Sequence, residues 1–289
     1  MKEFADKTAV ITGGASGIGF ALAQLCVERG MNIVLADIEK EALASATQYF
    51  EDRQANVLGL RTDVSSKKSV AALFDQATSR FGKIHLLFNN AGVVNGGTPP
   101  PIWELPKEDW DWVMGVNLIG VLNGIQIFTP HMIEHGEEGH IVNTSSIAAF
   151  IPGAGPYGVS KSGVVMLSES LALDLKRAQT KIGASVICPG WTNTKISDSE
   201  RNRPKALKSS SNPEGLGLGM NSILESGKSP EKLAEQVFES IESDRFYIFP
   251  HNGWDYLLTE HTEAMLRREG PHIFNSAEHL AKRAEGKDV

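Results

Sequence analysis

Six short apolar runs, each followed by a longer amphipathic stretch, dominate the first two thirds of the chain. TAVITGG, NIVLAD, NVLGLRTDV, IHLLFNNAG, GHIVNTSS and IGASVICPG are rich in Val, Ile and Leu with little polar alternation, the pattern of strands covered on both faces. Helix-like segments separate them at about 19–30, 39–51, 67–81, 106–134 and 157–179, and another at about 230–243 precedes a last strand, FYIFP. Strands alternating with helices imply βαβ units, right-handed crossovers and a parallel sheet. The expected class is therefore α/β, and 289 residues are enough for one large domain with a substantial core.

The amino-acid balance narrows the class further. With 41% hydrophobic and 22% charged residues, the composition is that of an ordinary globular protein, not a disordered one. A formal net charge of −7 argues against a nucleic-acid partner, because phosphate contacts need a concentrated surplus of Lys and Arg. Cys26 and Cys188 sit in apolar surroundings without metal-ligand spacing, so neither a disulfide framework nor an oxidising compartment is expected. The opening MKEFADKTAVITGG has no run of signal-peptide length, and no stretch elsewhere reads as a bilayer span. The expectation is a cytoplasmic protein with no membrane partner.

Two regions break the rhythm. Between Asn193 and Pro230, the text RNRPKALKSSSNPEGLGLGMNSILESGKSP is rich in Gly, Ser, Pro and Asn and too long for an inert connection. It reads as a lid after a strand end, or else as a surface insertion. Residues from about 254 to 289 read as polar helix. The expected organisation is a catalytic domain over 1–250, lid at about 193–230 included, with 251–289 as a helical extension of the same domain.

TGGASGIG, residues 12–19, follows the first strand and opens the first helix. Gly13, Gly17 and Gly19 permit the tight turn, close backbone approach and helix packing that seat a pyrophosphate on a helix N-terminus. Ser16 and Ile18 of the same turn join the expected contact set. Glycines alone would suit any tight turn. Asp37, ending the second strand of the same unit in LAD, makes the dinucleotide reading the better one, because its carboxylate is placed to accept ribose hydroxyls and repels a 2′-phosphate. No Arg stands at position 16 or 38, and Lys40 is close by. NAD is expected over NADP.

With NNAG at 89–92 and PYGVSK at 156–161, these ordered motifs resemble the classical short-chain dehydrogenase/reductase family over about residues 5–250. The resemblance implies a Rossmann-type doubly wound parallel sheet of about seven strands flanked by helices in a single domain. It also implies a homo-oligomer, dimer or tetramer. Asn90 and Gly92 are carried over as supports of the sheet and the adenosine side. Asp63 and Val64, in TDV, match the adenine-contacting pair, and Pro189, Gly190, Thr192 and Thr194, in PGWTNT, match the segment that meets the nicotinamide carboxamide.

Tyr157 and Lys161 are four apart, hence one turn apart on one face of a helix. A phenol with a pKa near ~10 is a poor base at neutral pH, and a nearby ammonium favours the phenolate that could take an alcohol proton. Lys161 could also bond the nicotinamide ribose. A helical Tyr–Lys pair is, by itself, common and without chemistry. The family pattern supplies Ser146 as the hydroxyl that bonds the substrate oxygen, and Asn117, in VMGVNLIG, as the asparagine completing a water-linked proton relay to the lysine. The interval from Ser146 to Tyr157 is about two residues shorter than that pattern, which leaves Ser145 as a substitute and makes SIAAFIPGAG an unusual pocket wall.

The expected reaction interconverts a secondary alcohol and its ketone by hydride transfer. Val93, Val94, Ile147, Phe150, Ile151 and Trp191, with Leu216, Leu218 and Met220 from the lid, make the expected pocket apolar, although about half of such a set is ordinarily plain core. The substrate class expected is hydrophobic, aryl-substituted alcohols included. RNRP followed by SPEKLAEQVFESIESDRFYIFP is similar to a subgroup that includes lignin-type aryl-ether alcohol dehydrogenases. Two rival readings stand beside it. HMIEH, residues 131–135, matches an inverted zinc-peptidase pattern with Glu134 as base, or a polar helix end whose imidazoles suit the dipole. A nicotinamide-binding sensor without turnover is the other, disfavoured by the intact Ser, Tyr and Lys set. No metal is expected.

Overall fold

The structure, a computed structural model, describes residues 1–95, 100–209 and 224–271 together with Asn275 and His279. Among these, seven strands form one sheet: β1 (Thr8–Thr12), β2 (Asn32–Asp37), β3 (Val57–Arg61), β4 (Leu86–Asn89), β5 (Gly139–Thr144), β6 (Ile182–Ile187) and β7 (Tyr247–Ile248). All pairs are parallel, in the order β3-β2-β1-β4-β5-β6-β7. Each strand falls inside one of the apolar runs read from the sequence. The helices are α1 (Gly17–Glu28), α2 (Lys40–Glu51), α3 (Lys67–Phe81), α4 (Lys107–Met114), α5 (Gly120–Glu134), α6 (Gly155–Arg177), α7 (Pro230–Glu242) and α8 (Asp255–Arg267).

The runs lack polar alternation because both faces of the sheet are covered. Ala9, Ile11, Ile33, Leu35, Leu86 and Phe88 pack with α1, α2 and α7. Their neighbours in sequence, Val10, Val34 and Leu87, pack on the other face with α3, α5 and α6, as the two-residue period of a strand requires. From β1 the order runs one way to β2 and β3 and the other way to β4 and β5. That reversal opens a crevice beyond the carboxyl ends of β1 and β4, where ligands of doubly wound sheets bind.

The helix expected at 106–134 is present, but it is not uniform. Between α4 and α5, Gly115–Ile119 make a π-helical turn. The run Lys107–Glu134 is, by length and apolar composition alone, long enough to cross a membrane, contrary to the expectation from sequence. Its packing accounts for the apolarity, since Trp112, Val113, Val121, Phe128 and Met132 are core residues.

The expected C-terminal helix is broken after Arg267. Helix α8 stops at Arg267, and Arg268 takes a left-handed φ of 60°. The rest of the 254–289 pattern lies largely outside the described residues. The expected lid is described in part. Lys195–Asn202 and Lys205–Leu207 form short 3-10 turns, and Thr192 pairs in parallel with Lys228 to close the segment's base. Leu216, Leu218 and Met220 lie outside the described residues.

Candidate active site

Three glycines at the crevice are needed for three different reasons. Gly13 has a φ of +63°, and a Cβ there would come within 3.0 Å of Ala91 Cα. Gly17 has a φ of +52° and faces Thr194, whose Cγ2 lies 3.0 Å from where its Cβ would be. A Cβ on Gly19 would overlap the Gly13 carbonyl oxygen. Ser16 caps α1 with extended backbone and no side-chain capping bond, and the helix's first turn carries no acidic residue. Such a cradle suits an anionic diphosphate. Asn90 ties it to β4, donating from Nδ2 to the carbonyls of Thr12 and Gly13 at 3.1 and 3.3 Å.

Asp37 stands at the same mouth, accepting from Ala15 N at 3.1 Å and Glu39 N at 3.0 Å. Burial pushes its carboxyl above the ordinary value, against the pull of those donors. Asp63 accepts from the Ser65 N–H and hydroxyl at 3.0 and 2.7 Å, and the Val64 carbonyl is held by Asn123 Nδ2 at 2.9 Å. Asp37, Asp63, Val64, Asn90 and Gly92 line one cavity with Ser16, Ile18, Pro189, Gly190, Thr192 and Thr194. The set fits a nicotinamide dinucleotide: glycine backbone for the phosphates, carboxylates for the ribose, and a strand-end loop for the amide.

Tyr157 and Lys161 meet this cavity from α6, which Pro156 helps to start. Ser145 and Ser146 follow β5, and neighbours on an extended chain point opposite ways. The Ser145 hydroxyl is committed to the Lys161 carbonyl at 2.7 Å. Ser146 instead accepts from Ala148 N at 3.1 Å and donates to the Pro189 carbonyl at 3.4 Å, with its hydroxyl beside the Tyr157 phenol. Lys161, 2% exposed, donates from Nζ to the Thr144 carbonyl at 2.9 Å, and its Nζ lies 5.6 Å from the centre of the Tyr157 ring. Asn117, in the π turn, accepts the Val93 N–H at 2.8 Å and donates to the Val93 carbonyl at 2.9 Å and to Ser160 Oγ at 3.1 Å.

Burial dominates the electrostatics of this pair. It pushes the Tyr157 phenol above its usual value, with the Ser146 hydroxyl pulling partly back. Burial likewise lowers Lys161 to about 8.

The cavity holds about 770 Å³. Val93, Val94, Ile147, Ile151 and Trp191 line it as expected, but Phe150 does not: it packs against Phe249, 6.0 Å between ring centres. Trp112, Leu207 and Trp254 complete the apolar lining and were not read from the sequence. Nor was His251, which accepts from Gly190 N on Nδ1 at 3.1 Å and so presents Nε2–H to the Trp191 carbonyl at 3.0 Å. A Cβ on Gly190 would overlap the Trp254 indole. The edge-on Trp191–Trp254 pair is 5.1 Å apart, and the His279 ring lies tilted against Trp254 with ring centres 3.7 Å apart.

The zinc-peptidase reading of HMIEH fails on the chemistry of its histidines. His135 accepts from Glu137 N on Nδ1 and donates from Nε2 to the Ile84 carbonyl at 2.8 Å, so neither ring nitrogen is left to bind a metal. His131 packs edge-on between Phe74 and His135.

The family profile described as short chain dehydrogenase matches residues 7–205. This chain is a short-chain dehydrogenase/reductase. It is 36% identical over 277 residues to a C alpha-dehydrogenase from Sphingobium sp. strain SYK-6, covering 94% of this chain and 89% of that protein. It is 34% identical over 282 residues to a CLA biosynthesis dehydrogenase/reductase from Lactiplantibacillus plantarum, covering 94% and 98%. A short chain dehydrogenase/reductase from Burkholderia phymatum, crystallised in complex with NAD, superposes with a TM-score of 0.90 at 41% identity, over 95% of this chain and 99% of that one. Like its relatives, this dehydrogenase belongs to a family that uses NAD or NADP.

Proposed function

We propose that the protein is an NAD-dependent dehydrogenase that interconverts hydrophobic, aryl-bearing secondary alcohols and their ketones. The observation that carries this reading is one cavity with Gly13, Gly17 and Asp37 at one end and Tyr157, Ser146 and apolar walls at the other. The nicotinamide supplies the hydride acceptor or donor; the chain holds, orients and protonates. Gly13, Ser16, Gly17, Ile18 and Gly19 take the diphosphate, Asp37 the adenosine ribose, Asp63 and Val64 the adenine, and residues 189–194 the amide. Lys161 bonds the nicotinamide ribose.

Ser146 and Tyr157 fix the substrate oxygen, which orients the carbinol carbon. In ketone reduction the Tyr157 phenol gives its proton to the developing alkoxide; in oxidation the phenolate, its own proton having passed to solvent, takes the alcohol's hydroxyl proton as the carbinol hydrogen leaves as hydride. Asn117, its carboxamide tied to Val93, completes a water-linked proton relay to Lys161. Asp37 favours NAD because a 2′-phosphate would meet a carboxylate. Trp112, Trp191 and Trp254 in the lining support an aryl-accommodating pocket. Division into a catalytic domain over 1–250, lid included, and an extension over 251–289 belongs to the same proposal, as does a cytoplasmic homo-oligomer.

The test is nicotinamide reduction, followed with NAD and NADP separately, across aliphatic and aryl secondary alcohols. Turnover with NAD and aryl substrates is the expected result. NADH binding without turnover of any alcohol would favour the sensor reading, and preference for sugars or polyols would overturn the substrate class.

A further inference from the structure

RNRP, residues 201–204, is not used by the hydride-transfer chemistry. Its two arginines fasten the same segment, Lys195–Leu207, at two places. Arg201 forks onto the Glu39 carboxylate, Nε at 3.1 Å and Nη2 at 2.5 Å, two residues beyond Asp37; Asn202 Nδ2 donates to that carboxylate at 2.9 Å. Arg203 engages a different set of partners. Its side chain is 5% exposed and meets Asp109 Oδ1 at 2.8 Å, a carboxylate that is 0% exposed. Nε and Nη2 also donate to Glu200 at 2.6 and 2.7 Å, and Nη1 donates to the Leu207 carbonyl at 3.1 Å.

The guanidinium lies 4.1 Å over the ring of Trp112. Trp112 forms a buried cluster with Val93 and Val113, and Leu207 and Tyr157 pack on that cluster. Because the guanidinium is planar, one orientation must satisfy both carboxylates, the carbonyl and the indole face together, and an ammonium has no equivalent. Burying Asp109 costs desolvation that a surface loop has no need to incur. What the arrangement secures is the place of two side chains, Trp112 and Leu207, in the cavity wall.

We propose that Arg203 is a specificity-determining positioning residue, clamping Trp112 and Leu207 into the wall of the alcohol site beside Tyr157, while Arg201 fastens the same segment on the cofactor side. The inference rests on the dehydrogenase reading above. Its two anchors make separable predictions, because one adjoins the substrate wall and the other the adenosine-binding carboxylate.

Arg203→Lys keeps a cation against Asp109 and loses the planar fork and the indole contact. Expected is a rise of about tenfold in KM for 1-phenylethanol with a smaller fall in kcat, a reduced preference for that alcohol over 2-propanol, and a Kd for NAD within about twofold of the parent. Arg201→Met should show the converse split. A folded Arg203→Lys with the parental KM and alcohol preference overturns the proposal. If that variant does not fold, Arg203→Met with Asp109→Asn removes both charges, and the same KM readout applies. The parent is assayed first, and no turnover of either alcohol with NAD or NADP sinks the dehydrogenase reading by itself. The clamp is then judged by amide exchange: faster exchange at 107–114 and 195–207 in Arg203→Lys supports it, and parental exchange overturns it.

Discussion

At the scale of single residues, burial is the dominant force on the two catalytic candidates. A phenol held above its ordinary pKa is a weaker acid that keeps its proton at neutral pH, so little phenolate is present to take an alcohol proton. Alcohol oxidation should therefore rise with pH into the alkaline range while ketone reduction does not, measured as paired pH–rate profiles. Tyr157→Phe should lower turnover by roughly 10²–10⁴-fold and leave NADH binding intact; near-parental turnover would remove Tyr157 from its role. Lys161 has the opposite problem. Its folded pKa of about 8 lies below the unfolded 10.5, so between those values the unfolded chain binds more protons and stability rises with pH. Below that window the buried ammonium costs about 3 kcal/mol, partly offset by its bond to Thr144. Lys161→Met should raise Tm at pH 7 while abolishing activity, and the gain should shrink between pH 8 and 10.5. A lower Tm at pH 7 would mean that the Thr144 bond outweighs desolvation.

At the scale of elements, one of the tightest fits among the described residues is the turn between β1 and α1. Adding one methyl at Gly19 drives it into the Gly13 carbonyl and to 2.8 Å from Asn90 Nδ2. Gly19→Ala should cost roughly 1–3 kcal/mol of stability and weaken NADH binding about tenfold or more by titration calorimetry. This turn was legible in the sequence because its parts are contiguous. So were the strands, whose unbroken apolar runs follow from cover on both faces, and so was the one-turn spacing of Tyr157 and Lys161. Contacts between remote segments were not legible. Gly190 and His251 are 61 positions apart, and nothing in either neighbourhood announces the other. Arg203 and Asp109 likewise read as ordinary surface charges until α4 and the 195–207 segment are brought together. The choice between Ser145 and Ser146 was a matter of which way each side chain points, which a strand end decides and a motif spacing does not.

At the scale of the whole molecule, helix α6 shows an apolar stripe that the monomer leaves in water. Val159, Met166 and Leu173 recur every seven residues and are 46%, 65% and 53% exposed, on one face of the helix. A second copy of the chain would cover it, so light scattering should give a multiple of the 31.3 kDa mass, and Met166→Glu should shift the protein towards smaller species. A monomeric parent would rule this out. The run from Lys107 to Glu134 connects that body to the active site, and its π turn acts as a phase shifter. Without it, a regular helix could not present Trp112 to the cavity, Asn117 to Val93 and Phe128 to the sheet in one continuous rod, because an extra residue advances the face by roughly 100°. Deleting Val116 should restore an unbroken α-helical register. Either half can then remain seated, but not both, so the shortened protein should keep a cooperative melting transition while losing its reaction.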